Sequence, residues 1–108
     1  MDFNLTDQQK MIQKVFKEFA EKEVEPIAAE IDETSEFPAE NVKKMAEADM
    51  MGIPFPKEYG GAGADTLSYI IGVEELSYRC ATHGVILSAH TSLGAHPIYK
   101  YGSKEQKE

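Results

Sequence analysis

Ala81-Thr82-His83-Gly84-Val85-Ile86-Leu87-Ser88-Ala89-His90-Thr91-Ser92-Leu93-Gly94-Ala95-His96-Pro97-Ile98-Tyr99 runs without one Lys, Arg, Asp or Glu. A helix with no charged face is buried on all sides, so a central core helix from about Gly84 to Gly94 is expected. Three histidines, two glycines, several hydroxyls and Pro97 make it a poor membrane span. Pro97 is expected to break the helix and leave His96 to Tyr101 as a separate turn. Two stripes run along it. Ser88, Thr91, Ser92 and Ala95 form a small face, and Ile86, Ala89, His90, Leu93 and Pro97 form another. Hydroxyls on such a helix bond their own i−4 carbonyls and let a neighbouring helix come close, unless they contact a ligand.

Working back towards the N-terminus, Leu67, Ile70, Ile71 and Leu76 mark the buried side of a helix over about Thr66 to Tyr78, with Asp65 as its N-cap. Glu74 and Glu75 lie beside those apolar positions. Arg79, four residues after Glu75, is the local counter-ion expected for a half-buried carboxylate. Tyr59-Gly60-Gly61-Ala62-Gly63-Ala64-Asp65 reads as a flexible loop, and Pro54 and Pro56 predict an extended run from Ile53 to Lys57. Before them, Pro38 suits a first helical position, Val42, Met45 and Ala46 give a buried face, and Gly52 a stop. The first helix opens on the capping box Thr6-x-x-Gln9, and Met11, Ile12, Val15, Phe16, Phe19 and Ala20 form one stripe. Pro26 interrupts it, so a kinked helix or two short ones are expected, with Ile27, Ala28 and Ile31 on the second part. Downstream, Ser103-x-x-Gln106 repeats the capping box two residues before the last one. A helix announced there and not delivered suggests an excerpt of a longer protein.

Composition narrows the function. The 108 residues carry 11 Lys plus Arg against 19 Asp plus Glu, a net charge of −8. No basic face is available for phosphates, which argues against nucleic acid as a partner. Nine acids fall between Glu18 and Glu40. They read as a solvated face, with steering of a basic partner as the functional alternative. Cys80 is the one cysteine, which suits a reducing compartment, and Met1 to Leu5 has neither a basic nor an apolar signal region, so a cytoplasmic protein is expected.

Few side chains point to chemistry. Gly61-x-Gly63 lacks the third glycine of a dinucleotide fingerprint and the Gly-Lys-Ser/Thr of a Walker loop. His83, His90 and His96 are spaced by seven and six, not by the three or four that put two ligands on one helical face, so no metal site is expected. Arg79 is the only cation near Cys80, which reads as a small core residue rather than a nucleophile.

Phe3-Asn4-Leu5-Thr6-Asp7-Gln8-Gln9, Phe37-Pro38 and Pro56-Lys57-Glu58-Tyr59-Gly60-Gly61-Ala62-Gly63 are followed in order by Val73-Glu74-Glu75-Leu76, Ser92-Leu93-Gly94 and Tyr101-Gly102-Ser103-Lys104-Glu105-Gln106-Lys107. Six motifs in register over the whole chain resemble the opening of flavin-dependent acyl-CoA dehydrogenases, of the short-chain, butyryl-CoA type. The resemblance implies an all-α fold for residues 1–108, an orthogonal bundle of about five or six helices, as the N-terminal domain. It also implies that an FAD-binding β-domain and a C-terminal helical bundle follow, and that the complete subunit is a homotetramer. FAD would be held chiefly by those later domains, and the glutamate that abstracts the α-proton would lie beyond residue 108, so no catalytic residue is nominated.

By position, the resemblance implies that Ile86, Ala89, His90 and Leu93 wall the acyl pocket for a short-chain acyl-CoA. The His90 ring would shorten that pocket. Relatives that take dicarboxylyl substrates share His96-Pro97-Ile98-Tyr99 but carry a cation near the helix start, where Gly84-Val85 stands here, so a neutral acyl chain is implied. Ile12, Glu23, Met50, Ala62 and Ala64 match positions where an electron-transferring flavoprotein docks an apolar anchor. Two alternatives stay open: a stand-alone helical interaction module without catalysis, and an enoyl-CoA reductase of the same family.

Overall fold

The computed structural model describes residues 2–108, and every regular element among them is helical. Asp7–Phe19 forms α1, Glu25–Thr34 α2, Ala39–Glu47 α3, Thr66–Arg79 α4, Ala81–Ala89 α5, His96–Tyr101 α6 and Lys104–Lys107 α7. The end signals act as the sequence predicts. Thr6 and Gln9 exchange side-chain and backbone bonds at the start of α1, and Ser103 and Gln106 do the same at α7. Asp65 caps α4 by accepting from the Ser68 N–H at 2.8 Å.

The prolines act differently. Neither Pro26 nor Pro97 breaks its helix. Ala20–Val24 is a π-helical turn joining α1 to α2, and His90–Ala95 is a second one joining α5 to α6. Each π turn hands over through an N–H that reaches back five residues, Glu25 to Ala20 and His96 to Thr91, and each proline is the second residue of the next helix. A proline has no N–H to give, and in a regular helix its ring strikes the carbonyl four residues back. A widened turn just before it takes up an extra residue and relieves that clash, so the first rod stays continuous, as the kinked-helix alternative at Pro26 allows, and the second stays continuous where a break was expected at Pro97.

The core takes residues from most elements: Phe16 of α1, Ala20 and Val24 of the first π turn, Met45 of α3, Met50, Ile53, Leu76 of α4 and Leu87 of α5. The central rod is α4, which lies against α1, the first π turn and α5. The uncharged segment is therefore not the central helix. It buries one side, through His83, Gly84, Leu87 and Thr91, and leaves Val85 64% and Leu93 77% exposed. Leu67 and Ile70 of α4 and Met11 and Val15 of α1, expected inside, are also exposed. Ala46 is exposed, and Asn41 takes a buried place on α3 in its stead.

Between α3 and α4 the chain does not run extended. α3 ends at Glu47, ahead of Gly52, and Asp49 turns the chain with φ 60°. Short 3₁₀ turns follow at Met50–Gly52 and Lys57–Tyr59. The glycine loop is fixed rather than flexible. Gly61 N–H bonds the Pro56 carbonyl, Ala62 the Gly52 carbonyl, Gly63 the Phe55 carbonyl and Ala64 the Ile53 carbonyl, at 3.1, 2.9, 2.8 and 2.9 Å. A Cβ at Gly61 would overlap the Phe55 carbonyl, so the loop closes only on a bare backbone there.

Candidate functional site

Ile86 and Ala89 lie half-buried on the outer side of α5, and His90 and Leu93 lie exposed on the π turn that follows. The Ser88 carbonyl beneath them accepts the Tyr69 hydroxyl at 3.2 Å and the Ser92 hydroxyl at 2.6 Å, the second being the i−4 bond expected of this helix. The π turn separates the four positions. His90 reaches a cleft of about 380 Å³ with Met51, Phe55, Tyr59 and Tyr99 on its walls, whereas Ile86, Ala89 and Leu93 do not line it. Edge-on contacts of Tyr99 with Phe55 at 5.6 Å and Tyr59 at 6.3 Å stiffen that wall. A second cleft of about 440 Å³ opens beside Thr91, Ser92 and His96.

The set matched to partner docking divides. Met50 is 3% exposed and belongs to the core, so it can back a docking surface but cannot touch a partner. Ile12 and Ala64 pack against that core and stay half-buried, as does Ala62. Glu23 stands on the first π turn, where Lys44 Nζ lies 2.8 Å from its carboxylate. The Lys44 ammonium holds the Glu23 carboxyl below its ordinary pKa, and Glu23 raises that of Lys44 in return. Asp65 is also held low, by its hydrogen bonds to Ser68 first and then to Gln9.

Arg79 does not pair with Glu75. Its guanidinium spans to Glu21 at 3.0 Å and Glu25 at 3.4 Å, across from α4 to the first π turn and α2. Glu75 accepts instead from Gln13 Nε2 at 3.4 Å. Thus Glu21, Glu23 and Glu25 of the acidic stretch are already engaged by cations from other helices.

Sequence reading missed the polar group that joins three elements. Asn41 Nδ2 lies 2.8 Å from the Glu23 carbonyl and 3.1 Å from His83 Nε2, and His83 is fully buried. Nothing in the local pattern of α3 or α5 pairs residues so far apart in the chain. A histidine in an uncharged run was the available signal. Among the described residues, no three His, Cys, Asp or Glu side chains gather as a metal group.

Comparison with known proteins resolves what this geometry belongs to. The family model for the acyl-CoA dehydrogenase N-terminal domain matches residues 6–108. The chain belongs to the acyl-CoA dehydrogenase family. "Acyl-CoA dehydrogenase, short-chain specific" of Clostridium acetobutylicum is 67% identical over 108 residues, all of this chain and 28% of that protein. "Acryloyl-CoA reductase (NADH)" of Anaerotignum propionicum is 52% identical over the same 108 residues, 27% of its length. A chain in the solved structure "Electron transferring flavoprotein of Acidaminococcus fermentans: Towards a mechanism of flavin-based electron bifurcation" superposes with TM-score 0.96 at 50% identity, over 99% of this chain and 28% of its own. The chain thus spans little more than a quarter of the length of these relatives.

For an acyl-CoA dehydrogenase domain, the glycine loop is a place where a flavin dinucleotide's phosphates could be suspected. It does not fit them. The N–H groups of Gly60, Gly61, Ala62 and Gly63 are all spent on backbone carbonyls, and none is left to face an anion. Among the described residues, no helix is long and apolar enough to cross a membrane.

Proposed function

We propose that this chain is the N-terminal helical domain of an FAD-dependent acyl-CoA dehydrogenase that desaturates short-chain acyl-CoA thioesters between Cα and Cβ. The observation that carries the reading is the 67% identity, over all 108 residues, with a short-chain-specific dehydrogenase. The family resemblance assigns FAD chiefly, and the proton-abstracting glutamate, to other parts of the subunit, and the closed glycine loop agrees with that assignment.

The share of this domain is to wall the acyl pocket. Ile86, Ala89, His90 and Leu93 present an uncharged surface, and Leu93 at 77% exposure offers apolar area for an acyl chain and the rest of the subunit to cover. The His90 ring takes up space that a longer chain would need, which favours short thioesters. With Gly84-Val85 at the start of the helix and no cation there, a second carboxylate on the substrate would find no partner.

Electrons leave to an electron-transferring flavoprotein that docks over Ile12, Ala62 and Ala64, with Met50 behind them and Glu23 at the flank. The superposition on a chain from a solved structure described as an electron transferring flavoprotein of A. fermentans supports this partner. The working assembly is a cytoplasmic homotetramer. A second reading, the reverse reaction as an enoyl-CoA reductase, is favoured by the 52% identity to an acryloyl-CoA reductase.

The test is an assay of the intact protein with butyryl-CoA and octanoyl-CoA as donors and electron-transferring flavoprotein as acceptor. Yellow, flavin-loaded protein that oxidises butyryl-CoA faster than octanoyl-CoA is expected. Protein that reduces crotonyl-CoA with NADH and does not oxidise butyryl-CoA would transfer the assignment to the reductase.

A further inference from the structure

Glu23 is gripped twice by α3, and both grips fall on a π turn, where the helical hydrogen-bond ladder is loosened. Lys44 Nζ holds its carboxylate at 2.8 Å, and Asn41 Nδ2, one turn earlier on α3, holds its backbone carbonyl at 2.8 Å. An amide NH₂ has two hydrogens, so Asn41 donates the second to His83 Nε2 at 3.1 Å. That bond requires a lone pair on Nε2, which places the ring proton on Nδ1. The Nδ1 atom is buried without a partner. A charged ring there would have two donors facing each other and no acceptor.

We propose that Asn41 is a positioning residue for the partner-docking face: its amide fixes the Glu23 carbonyl, and that amide is itself held in place by a bond to His83 that exists only while His83 is neutral. The proposal rests on the docking reading given above. Protonation of His83 turns Nε2 from acceptor to donor, repels the Asn41 amide and loosens its hold on the Glu23 carbonyl. The charged groups on the elements around the clamp are Glu21, Lys22 and Glu23 on the π turn, Glu40, Lys43, Lys44 and Glu47 on α3, and Glu74, Glu75 and Arg79 on α4; α5 carries none. None of them offsets the burial that holds the His83 pKa below its ordinary 6.5.

The experiment uses the intact FAD-loaded enzyme, its electron-transferring flavoprotein, and the variants Asn41→Leu and His83→Gln. Amide exchange across residues 20–25 is read by mass spectrometry, and KM for the flavoprotein is set against turnover with a small dye acceptor. In Asn41→Leu, exchange and KM for the flavoprotein are each expected to rise about tenfold while dye turnover holds. Glutamine at position 83 can accept from Asn41 and does not titrate. His83→Gln is therefore expected to keep both values at neutral pH and to abolish the rise expected of the native enzyme as pH falls through the depressed His83 pKa.

Unchanged exchange in a folded Asn41→Leu enzyme overturns the proposal. So does an equal loss of dye turnover, or an acid-side rise that persists in His83→Gln. Should the native enzyme fail to reduce the flavoprotein, the docking reading falls, and the exchange measurements alone decide the clamp: faster exchange in Asn41→Leu supports it and unchanged exchange overturns it.

Discussion

Gly72 of α4 lies beneath the ring of Phe16 of α1, so close that a Cβ there would stand 2.9 Å from Phe16 Cζ. This contact sets how near the central rod comes to the first helix. In an open helix, alanine in place of glycine would gain about 1 kcal/mol. Here the ring is 3% exposed, so it can move aside only by displacing other core side chains. Overpacking a core costs about 1–3 kcal/mol, so Gly72→Ala is expected to destabilise the protein in urea unfolding. In a Phe16→Leu background the same change should become neutral or stabilising. Equal destabilisation in both backgrounds would show that the Phe16 ring is not the obstacle.

Asp65 joins two elements at one carboxylate. One oxygen caps α4 through the Ser68 N–H, and the other accepts Gln9 Nε2 from α1 at 2.8 Å. Asp65→Ala should lower the thermal midpoint by a few degrees. The sign of the pH effect follows from its lowered pKa. The unfolded chain binds the proton more readily, so this contribution is present above the ordinary value of 3.8 and is lost as pH falls through the lower folded value. Asp65→Asn should flatten the acid limb of a stability–pH curve, and an unaltered limb would place the acid sensitivity elsewhere.

His83 gives a second acid limb, at higher pH. Its folded pKa is depressed by burial, so the unfolded state takes up a proton first as pH drops below 6.5. Stability is full above that point and declines towards the depressed value. Chemical denaturation of native protein and His83→Gln from neutral pH downward should diverge in this window. Parallel curves would show that His83 does not contribute.

The ends of helices were legible in the sequence because their causes are local. Thr6 with Gln9, Asp65, and Ser103 with Gln106 each signal a helix start within four residues. The kinked-helix alternative at Pro26 fits the π turn found there, whereas the break expected at Pro97 is absent, because the local rule that a proline ends a helix takes no account of a widened turn placed just before it. Arg79 was misassigned for a related reason: Glu75 is near in sequence, but the side chain reaches Glu21 and Glu25 on another rod. Polarity alone did not show which side of the uncharged segment packs within this domain. An uncharged segment can be dry on one side and open on the other, and Val85 and Leu93 show that the open side is as apolar as the closed one. Of the candidate site, the positions were readable and their grouping was not, since the π turn at His90–Ala95 parts His90 from its helical neighbours.

The account stands on the outer side of α5 and its π turn bordering the acyl chain. The most direct measurement compares the acyl-CoA length profile of the intact enzyme with that of His90→Ala, using kcat/KM across straight-chain thioesters. Removal of the ring is expected to shift the preferred chain upward by about two carbons, with flavin content and fold unchanged. An identical profile in a fully flavinated His90→Ala enzyme would contradict the claim that the His90 turn borders the acyl chain.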